Sequence, residues 1–332
     1  MTFFPVTNSN LSASHLARYL EEHYPIGKNA SCRILKAGIN DTYFVNTPSG
    51  KFIFRVYNFN WRTKKEIQEE IKFICHLAEN NIPVSYPIKD IDGHYIQEFN
   101  APEGKRYGVL FSFAEGEKLH NYDVDAHFKV GALMARFHQV AQDMVIDRVS
   151  YTITNLVVEP LEEIKNFLPE DTEEMAFLRS TQKYLIEQFK SVKTNEVRNG
   201  VVHLDIWFDN LSITQDNKIT IFDFDFCGNG WLCIDMAYYI LQLYFIERDE
   251  NICRPKADAF LAGYESVTKI PGEERRILPM LGVSLYFFYL GVQSVRHHNW
   301  SNVFFNETYL KRFINMVLKR YFDLNKLGQE AS

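Results

Sequence analysis

The sequence predicts an α+β chain, with a small antiparallel β-sheet lobe carrying one key helix followed by a larger, mainly helical lobe. Three features lead there. Short strand-like runs separated by turn residues crowd the first 113 positions. From Tyr122 on, apolar residues recur mainly at helical spacing. One island of strand character at 201–223 interrupts the helices and concentrates His, Asp and Asn. A length of 332 residues suits two lobes around one site. The predicted boundaries are 1–113 and 114–332, joined near 111–116.

The elements follow in order. Residues 12–24 read as a helix, with Ser12 placed to cap it ahead of Leu16 and Leu20. Strand-like runs at 32–37, 42–47 and 51–57 form a meander whose turns are Gly38-Ile39-Asn40-Asp41 and Thr47-Pro48-Ser49-Gly50. Thr63 and Glu66 have capping-box spacing and open a helix to Glu79, with Ile67, Ile71, Ile74, Leu77 and Ala78 on one side. Further strand-like runs lie at 86–90, 94–98 and 107–113. Helices are expected over 122–142, 172–193, 234–248, 255–267, 273–296 and 307–323. In the last, Leu310, Phe313, Ile314, Val317, Leu318 and Tyr321 make one stripe.

Composition narrows the function. With 46% hydrophobic and 23% charged residues the chain can bury a large core, which excludes a disordered or low-complexity protein. A net charge of −6 without a basic run argues against nucleic acid as a partner. The N-terminus lacks a basic segment followed by an apolar one, so no secretory signal is expected and a cytoplasmic location follows. The apolar stretch Ile277–Val292 is broken by Pro279, Ser284 and two glycines, which predicts a buried helix, not a membrane span. Five cysteines without metal spacing read as free thiols.

The chemistry concentrates in His203-Leu204-Asp205-Ile206-Trp207-Phe208-Asp209-Asn210 and, after a hairpin-like pair of runs at 211–214 and 219–222, Asp223-Phe224-Asp225. A hairpin brings its two ends together, so Asn210 and Asp223 should lie side by side with Asp205 just before them. Amide and carboxylate oxygens at such a place suit Mg²⁺, a small, hard cation that also takes phosphate oxygens. The order H-x-D-x-x-x-x-N then D-F-x is that of phosphoryl transfer, with the first Asp orienting the acceptor hydroxyl and the Asn and second Asp holding metal. His203 is expected to fix the loop through backbone hydrogen bonds.

On the strand 51–57, Phe52, Phe54 and Val56 make an apolar face, while Arg55 points to the other side. Stepping about 100° per residue along the helix puts Glu70 inside the apolar sector. A carboxylate there needs a cation, and Arg55 is the nearest candidate by topology. An arginine in this role would hold phosphates bidentately. The turn at Gly38 and Asn40 is by composition an ordinary hairpin turn, and only its position makes it a candidate phosphate loop. The segment Val109–Ala114, including Phe111 and Phe113, fits either a nucleotide slot or a plain buried strand.

Together these residues resemble the aminoglycoside phosphotransferase, choline kinase and homoserine kinase superfamily, most of all its homoserine-kinase-like and stress-response-kinase-like branch. The matching segments run from Gly38-x-Asn40-Asp41-Thr42-Tyr43 and Phe54-Arg55-Val56-Tyr57 through Glu70-Ile71, Asn81-Ile82-Pro83-Val84 and Ala101-Pro102-Glu103-Gly104. They continue through Arg106-Tyr107, the His203–Asn210 loop and Phe222–Asp225 to Ile234-Asp235-Met236-Ala237. The resemblance implies a protein-kinase-like two-lobe fold, ATP and Mg²⁺. It implies Asp205 as the catalytic aspartate, Asn210 and Asp223 as metal ligands, Arg55 and Glu70 as the clamp, and Asp235 as a buried brace of the loop. Leu204 replaces the glycine usual after the histidine, and Asp225 replaces the glycine of D-F-G.

For the acceptor there are only hints. Asp209 and Asp225 flank the expected hydroxyl site, and Trp207, Trp231, Tyr238 and Tyr239 are near it in sequence. Carboxylates with aromatic faces suit an ammonium-bearing alcohol, although the same aromatics serve equally as core. His297-His298-Asn299-Trp300 would either line the far wall or cap a helix. The favoured reading is a kinase for a small metabolite hydroxyl, such as an amino alcohol, homoserine, choline or an aminoglycoside-like alcohol. A Ser/Thr protein kinase and a nucleotide-binding pseudokinase are the alternatives; a glycosyltransferase D-x-D leaves the upstream loop without a role.

Overall fold

The computed structural model describes residues 4–118, 122–298 and 302–329. The chain divides into two compact units, one holding Met1–Glu115 with Thr220–Phe222, the other Gly116–Ile219, Asp223–His298 and Asn302–Ser332. Each is described by itself.

In the first unit the strand-like runs become β1 (Ser31–Ala37), β2 (Asn40–Thr47), β3 (Gly50–Tyr57), β4 (Pro87–Ile88), β5 (Ile96–Ala101) and β6 (Gly104–Ser112). They form one antiparallel sheet in the order β1-β2-β3-β6-β4, with β5 also pairing β6. β5 and β6 are longer at their joined ends than the sequence suggests, because Ala101 pairs Gly104 across a two-residue turn. Helix α1 (Ala13–His23) covers one face, where Leu16, Leu20 and Tyr24 pack with Tyr43, Val45, Phe54, Val56 and Leu110. Ser12 occupies the N-cap position, but its hydroxyl bonds the His15 ring, not a helix N–H. Helix α2 (Lys64–Glu79) starts in the expected capping box, and its buried side carries Ile67, Glu70, Ile71, Ile74 and Leu77.

The turn between β1 and β2 is shorter than its composition suggests, since Asn40 and Asp41 already belong to β2. The cause lies far along the chain. The side chain of Arg106 is fully buried and donates to Asp41 Oδ2 at 2.8 Å, Asn58 Oδ1 at 2.8 Å and the Tyr57 carbonyl at 2.9 Å. A guanidinium without water needs a carboxylate and several acceptors, and this one draws Asp41 out of the turn and into the sheet.

The second unit carries α3 (Val124–Ala141), α4 (Glu159–Ile164), α5 (Glu173–Lys190), α6 (Cys233–Ile246), α7 (Glu250–Glu265), α8 (Gly272–Val295), α9 (Glu307–Phe313) and α10 (Lys319–Leu324). A π-helical turn, Thr154–Val158, leads into α4, and another, Ile314–Leu318, joins α9 to α10. The helical turns from Thr154 to Ile164 escape sequence reading. Helix α7 begins five residues before its expected start, because the Asp249 side chain caps the Asn251 N–H and Pro255 is accommodated inside the helix. Its packing on α3 depends on two glycines: a Cβ at Gly131 would come to 1.9 Å from the Phe260 carbonyl oxygen, and one at Gly263 to 1.9 Å from that of Phe128.

Two short ribbons are also formed. β7 (Asn199–Val202) pairs with β10 (Gly228–Trp231), and β8 (Leu211–Ile213) with β9 (Ile219–Ile221). β10 is unexpected. Its sequence Gly-Asn-Gly-Trp has little strand propensity, but Gly228 lets the chain pass so near Val149 that a Cβ would stand 2.6 Å from its carbonyl oxygen. Helix α8 is long and apolar enough, by length and composition, to cross a membrane, yet 72% of its apolar window is buried. It is the core helix of this unit.

Candidate active site

Within the first unit Arg55 and Glu70 meet as expected. Arg55 Nη1 donates to Glu70 Oε1 at 2.9 Å, with side-chain exposures of 9% and 0%. The Tyr57 hydroxyl donates to Glu70 Oε2 at 3.1 Å, so both oxygens of the buried carboxylate are engaged. The guanidinium also lies over the Phe111 ring, 5.1 Å from its centre. Phe111 is paired with Ile53 and Pro87, and the Ser112 N–H donates to the Tyr86 carbonyl at 2.9 Å. The strand therefore continues through Ser112, and the Phe111 ring packs under the Arg55 guanidinium. Phe113 is half-buried, under Lys51 at 5.2 Å and edge-on to Phe44 at 5.6 Å. At the short turn, the Gly38 carbonyl accepts from Asn58 Nδ2 at 2.9 Å and Asn40 Oδ1 accepts from the Asn58 N–H at 3.4 Å.

Within the second unit, β7 feeds a loop whose backbone is clasped from α6. The carboxylate of Asp235, 0% exposed, accepts the N–H of His203 at 2.9 Å and of Leu204 at 2.6 Å, and lies 3.2 Å from His138 Nε2. Leu204 takes φ 67°, a left-handed conformation that costs an L-residue about 1–2 kcal/mol. That explains why glycine is usual there. His203 Nδ1 accepts the Asp205 N–H at 3.1 Å, and its ring packs on Phe224 at 4.4 Å, so it shapes the loop.

Asp205 is half-buried, and both its oxygens have donors. Asn210 Nδ2 donates to Asp205 Oδ2 at 2.7 Å and to the Asp205 carbonyl at 2.9 Å, while the Tyr238 hydroxyl donates to Oδ1 at 2.5 Å. With the Asn210 amide nitrogen committed inward, its oxygen is the atom oriented for a cation. The β8–β9 hairpin closes where the Thr214 N–H donates to the Lys218 carbonyl at 3.0 Å, and Asp223 follows its second strand. Asp223 adopts φ 66°, ψ 64°, strained for a non-glycine residue, as backbones at functional sites often are. One amide oxygen and one carboxylate fit Mg²⁺, which keeps waters and phosphate oxygens for its other positions. Among the described residues no group of three or more His, Cys, Asp or Glu could hold a metal by itself.

The acceptor candidates divide. Trp207 and Asp209 are half-buried on the Asp205–Asn210 loop. Asp225 is only 2% exposed, and Arg148 Nη2 donates to its main-chain carbonyl at 2.5 Å. Trp231 pairs with Asn199 at the opposite end of the β7–β10 ribbon from Val202, after which the His203–Asn210 loop begins. Antiparallel pairing carries the chain away from Asp205 by about 3.3 Å per residue. Trp231 instead lies tilted against Phe189, ring centres 6.0 Å apart, on the wall of a cavity of about 680 Å³. Tyr239 turns into the core, bonded to His127 Nδ1 at 2.8 Å and stacked on Phe260 at 4.3 Å. His297 Nδ1 lies 2.9 Å from the Ser294 carbonyl and closes the end of α8; Asn299 and Trp300 lie outside the described residues.

Sequence reading missed Tyr289, whose hydroxyl donates to the Leu204 carbonyl at 2.8 Å, and His138, which is buried against Asp235. A polar ring on the buried side of a helix was the available signal.

Residues 32–274 match the phosphotransferase enzyme family known as APH. The chain belongs to that family. A homoserine kinase of Bradyrhizobium diazoefficiens is 26% identical over 298 residues, spanning 89% of this chain and 87% of its own. A solved microcompartment-associated aminopropanol kinase superposes with a TM-score of 0.77 at 22% identity, covering 95% of this chain and 99% of its own. An amicoumacin kinase solved with AMP-PNP, Ca²⁺ and its namesake compound gives 0.74 at 18% identity, covering 94% and 96%. The phosphotransferase thus has the protein-kinase-like architecture of these enzymes, a small antiparallel sheet lobe and a helical lobe. It is a kinase of the class that phosphorylates alcohol groups.

Proposed function

We propose that this phosphotransferase moves the γ-phosphate of Mg·ATP to a hydroxyl of a small metabolite, an amino alcohol or hydroxy amino acid. One observation carries the reading: Asp205 sits on a loop locked by Asp235 and His203, its carboxylate aligned with Asn210, as needed to receive a hydroxyl proton. The similarity to homoserine kinase and to aminopropanol kinase supports an acceptor of this size and charge.

In this mechanism Asp205 orients the acceptor hydroxyl toward the phosphorus and takes its proton late, as the new O–P bond forms. Asn210 and Asp223 would hold Mg²⁺, which neutralises phosphate charge when bound. Arg55, fixed by Glu70, provides the cation for the nucleotide phosphates, and the Gly38–Asn40 turn is the candidate phosphate loop. Trp207 and Asp209 are the remaining candidates for an ammonium-bearing acceptor.

The test is ADP release from Mg·ATP over homoserine, 1-amino-2-propanol, ethanolamine, choline, aminoglycosides and a generic protein substrate. One small alcohol should stimulate turnover. Asp205→Ala should lower kcat about 10²–10⁴-fold with nucleotide affinity retained, whereas Asp223→Ala should weaken Mg·ATP binding. Labelling of protein alone would refute the small-alcohol reading, and full transfer by Asp205→Ala would refute the assigned role.

A further inference from the structure

The grip on Asp205 comes from two directions, and only one belongs to the loop. Asn210 holds Oδ2. Oδ1 is held from α6, by the Tyr238 hydroxyl at 2.5 Å. Tyr238 lies three residues after Asp235, one turn along the same face of the helix, so α6 fixes the loop twice: its backbone through Asp235 and its carboxylate through Tyr238. The ring is 3% exposed and sits 5.2 Å from that of Tyr289. The Tyr289 hydroxyl lies 3.5 Å from the same Oδ1 but gives its proton to the Leu204 carbonyl at 2.8 Å. Burial first, and the Asp205 charge second, push the Tyr238 phenol well above the usual tyrosine range, so it remains a proton donor to the carboxylate.

A carboxylate on a loop rotates about two side-chain bonds, and a donor on one oxygen alone leaves it free to swing. Donors on both oxygens fix its plane. An ionised carboxylate offers about four lone-pair positions, so these bonds still leave room for the acceptor hydroxyl. We propose that Tyr238 is a positioning residue that sets the plane of the Asp205 carboxylate toward the acceptor. The inference rests on the reading of Asp205 given above. It requires that the tyrosine act through turnover and not through nucleotide binding.

The variant is Tyr238→Phe, which keeps the ring and removes only the donor. Mg·ATP turnover is followed with homoserine, 1-amino-2-propanol and water as acceptors. We expect kcat to fall about tenfold or more with each acceptor that the wild type uses, with KM for Mg·ATP unchanged and the protein still folded at the assay temperature. Tyr289→Phe, which releases a backbone carbonyl and leaves the carboxylate gripped, should fall less. Wild-type kcat in Tyr238→Phe would overturn the proposal, as would a defect confined to the nucleotide KM or a larger loss in Tyr289→Phe. Asp205→Ala measured alongside separates the two claims. If it transfers phosphate normally, the reading of Asp205 fails; if it is inactive while Tyr238→Phe is not, only the positioning role fails.

Discussion

Leu204→Gly tests whether strain or packing governs the His203–Asn210 loop. Leu204 has φ 67° and is 0% exposed, so two effects of opposite sign meet at one residue. Glycine relieves a left-handed conformation worth about 1–2 kcal/mol. It also removes a buried leucine side chain, a change that costs about 2–5 kcal/mol on truncation to alanine, and gives the unfolded chain extra freedom worth about 0.4–1 kcal/mol. Packing wins, with a net loss of about 2–3 kcal/mol. Leu204→Ala loses the side chain and keeps the strain, so it should be the least stable of the three. The assay is urea unfolding at constant m, which reports stability directly. A glycine variant as stable as the wild type would refute the dominance of packing. One less stable than the alanine variant would refute the strain.

Two further outcomes are expected. Arg55→Lys should lower kcat/KM for Mg·ATP about tenfold or more, because a lysine cannot reproduce the planar fork that meets Glu70 while presenting donors to phosphate; unchanged kinetics would remove Arg55 from the clamp. His127 is buried, and burial first and the Lys256 charge second hold it down to about 4. Its unfolded value is near 6.5, so on acidification the unfolded chain takes the proton first. Stability contributed by neutral His127 is complete above about 6.5 and is lost progressively as pH falls toward 4, by roughly 3 kcal/mol. In His127→Gln, unfolding free energy measured between pH 7 and 4 should fall less steeply than in the wild type, and an unaltered slope would refute this.

Much of the fold was legible because its signals are local. The capping box at Thr63 and Glu66 needs only a spacing, and the alternation along β3 needs only a period of two. The pairing of Glu70 with Arg55 could be argued because a carboxylate on an apolar stripe demands a cation wherever it is found. The same demand explains what was misread. Asp41 looks like a turn residue until Arg106, sixty-five positions later, is seen to require it.

The sequence by itself determined most of the strands and helices, the capping box of α2, the pairing of Arg55 with Glu70 and the resemblance to the phosphotransferase family. Residue type and spacing are sufficient for those. Only the tertiary structure decided that Trp231 lines a cavity beside Phe189, that Gly-Asn-Gly-Trp becomes a strand, and that Tyr238 and Tyr289 converge on the Asp205 loop. Each depends on two segments, distant in sequence, coming within hydrogen-bond or van der Waals reach. Such contacts are set by the packing of whole elements, and no local pattern encodes them.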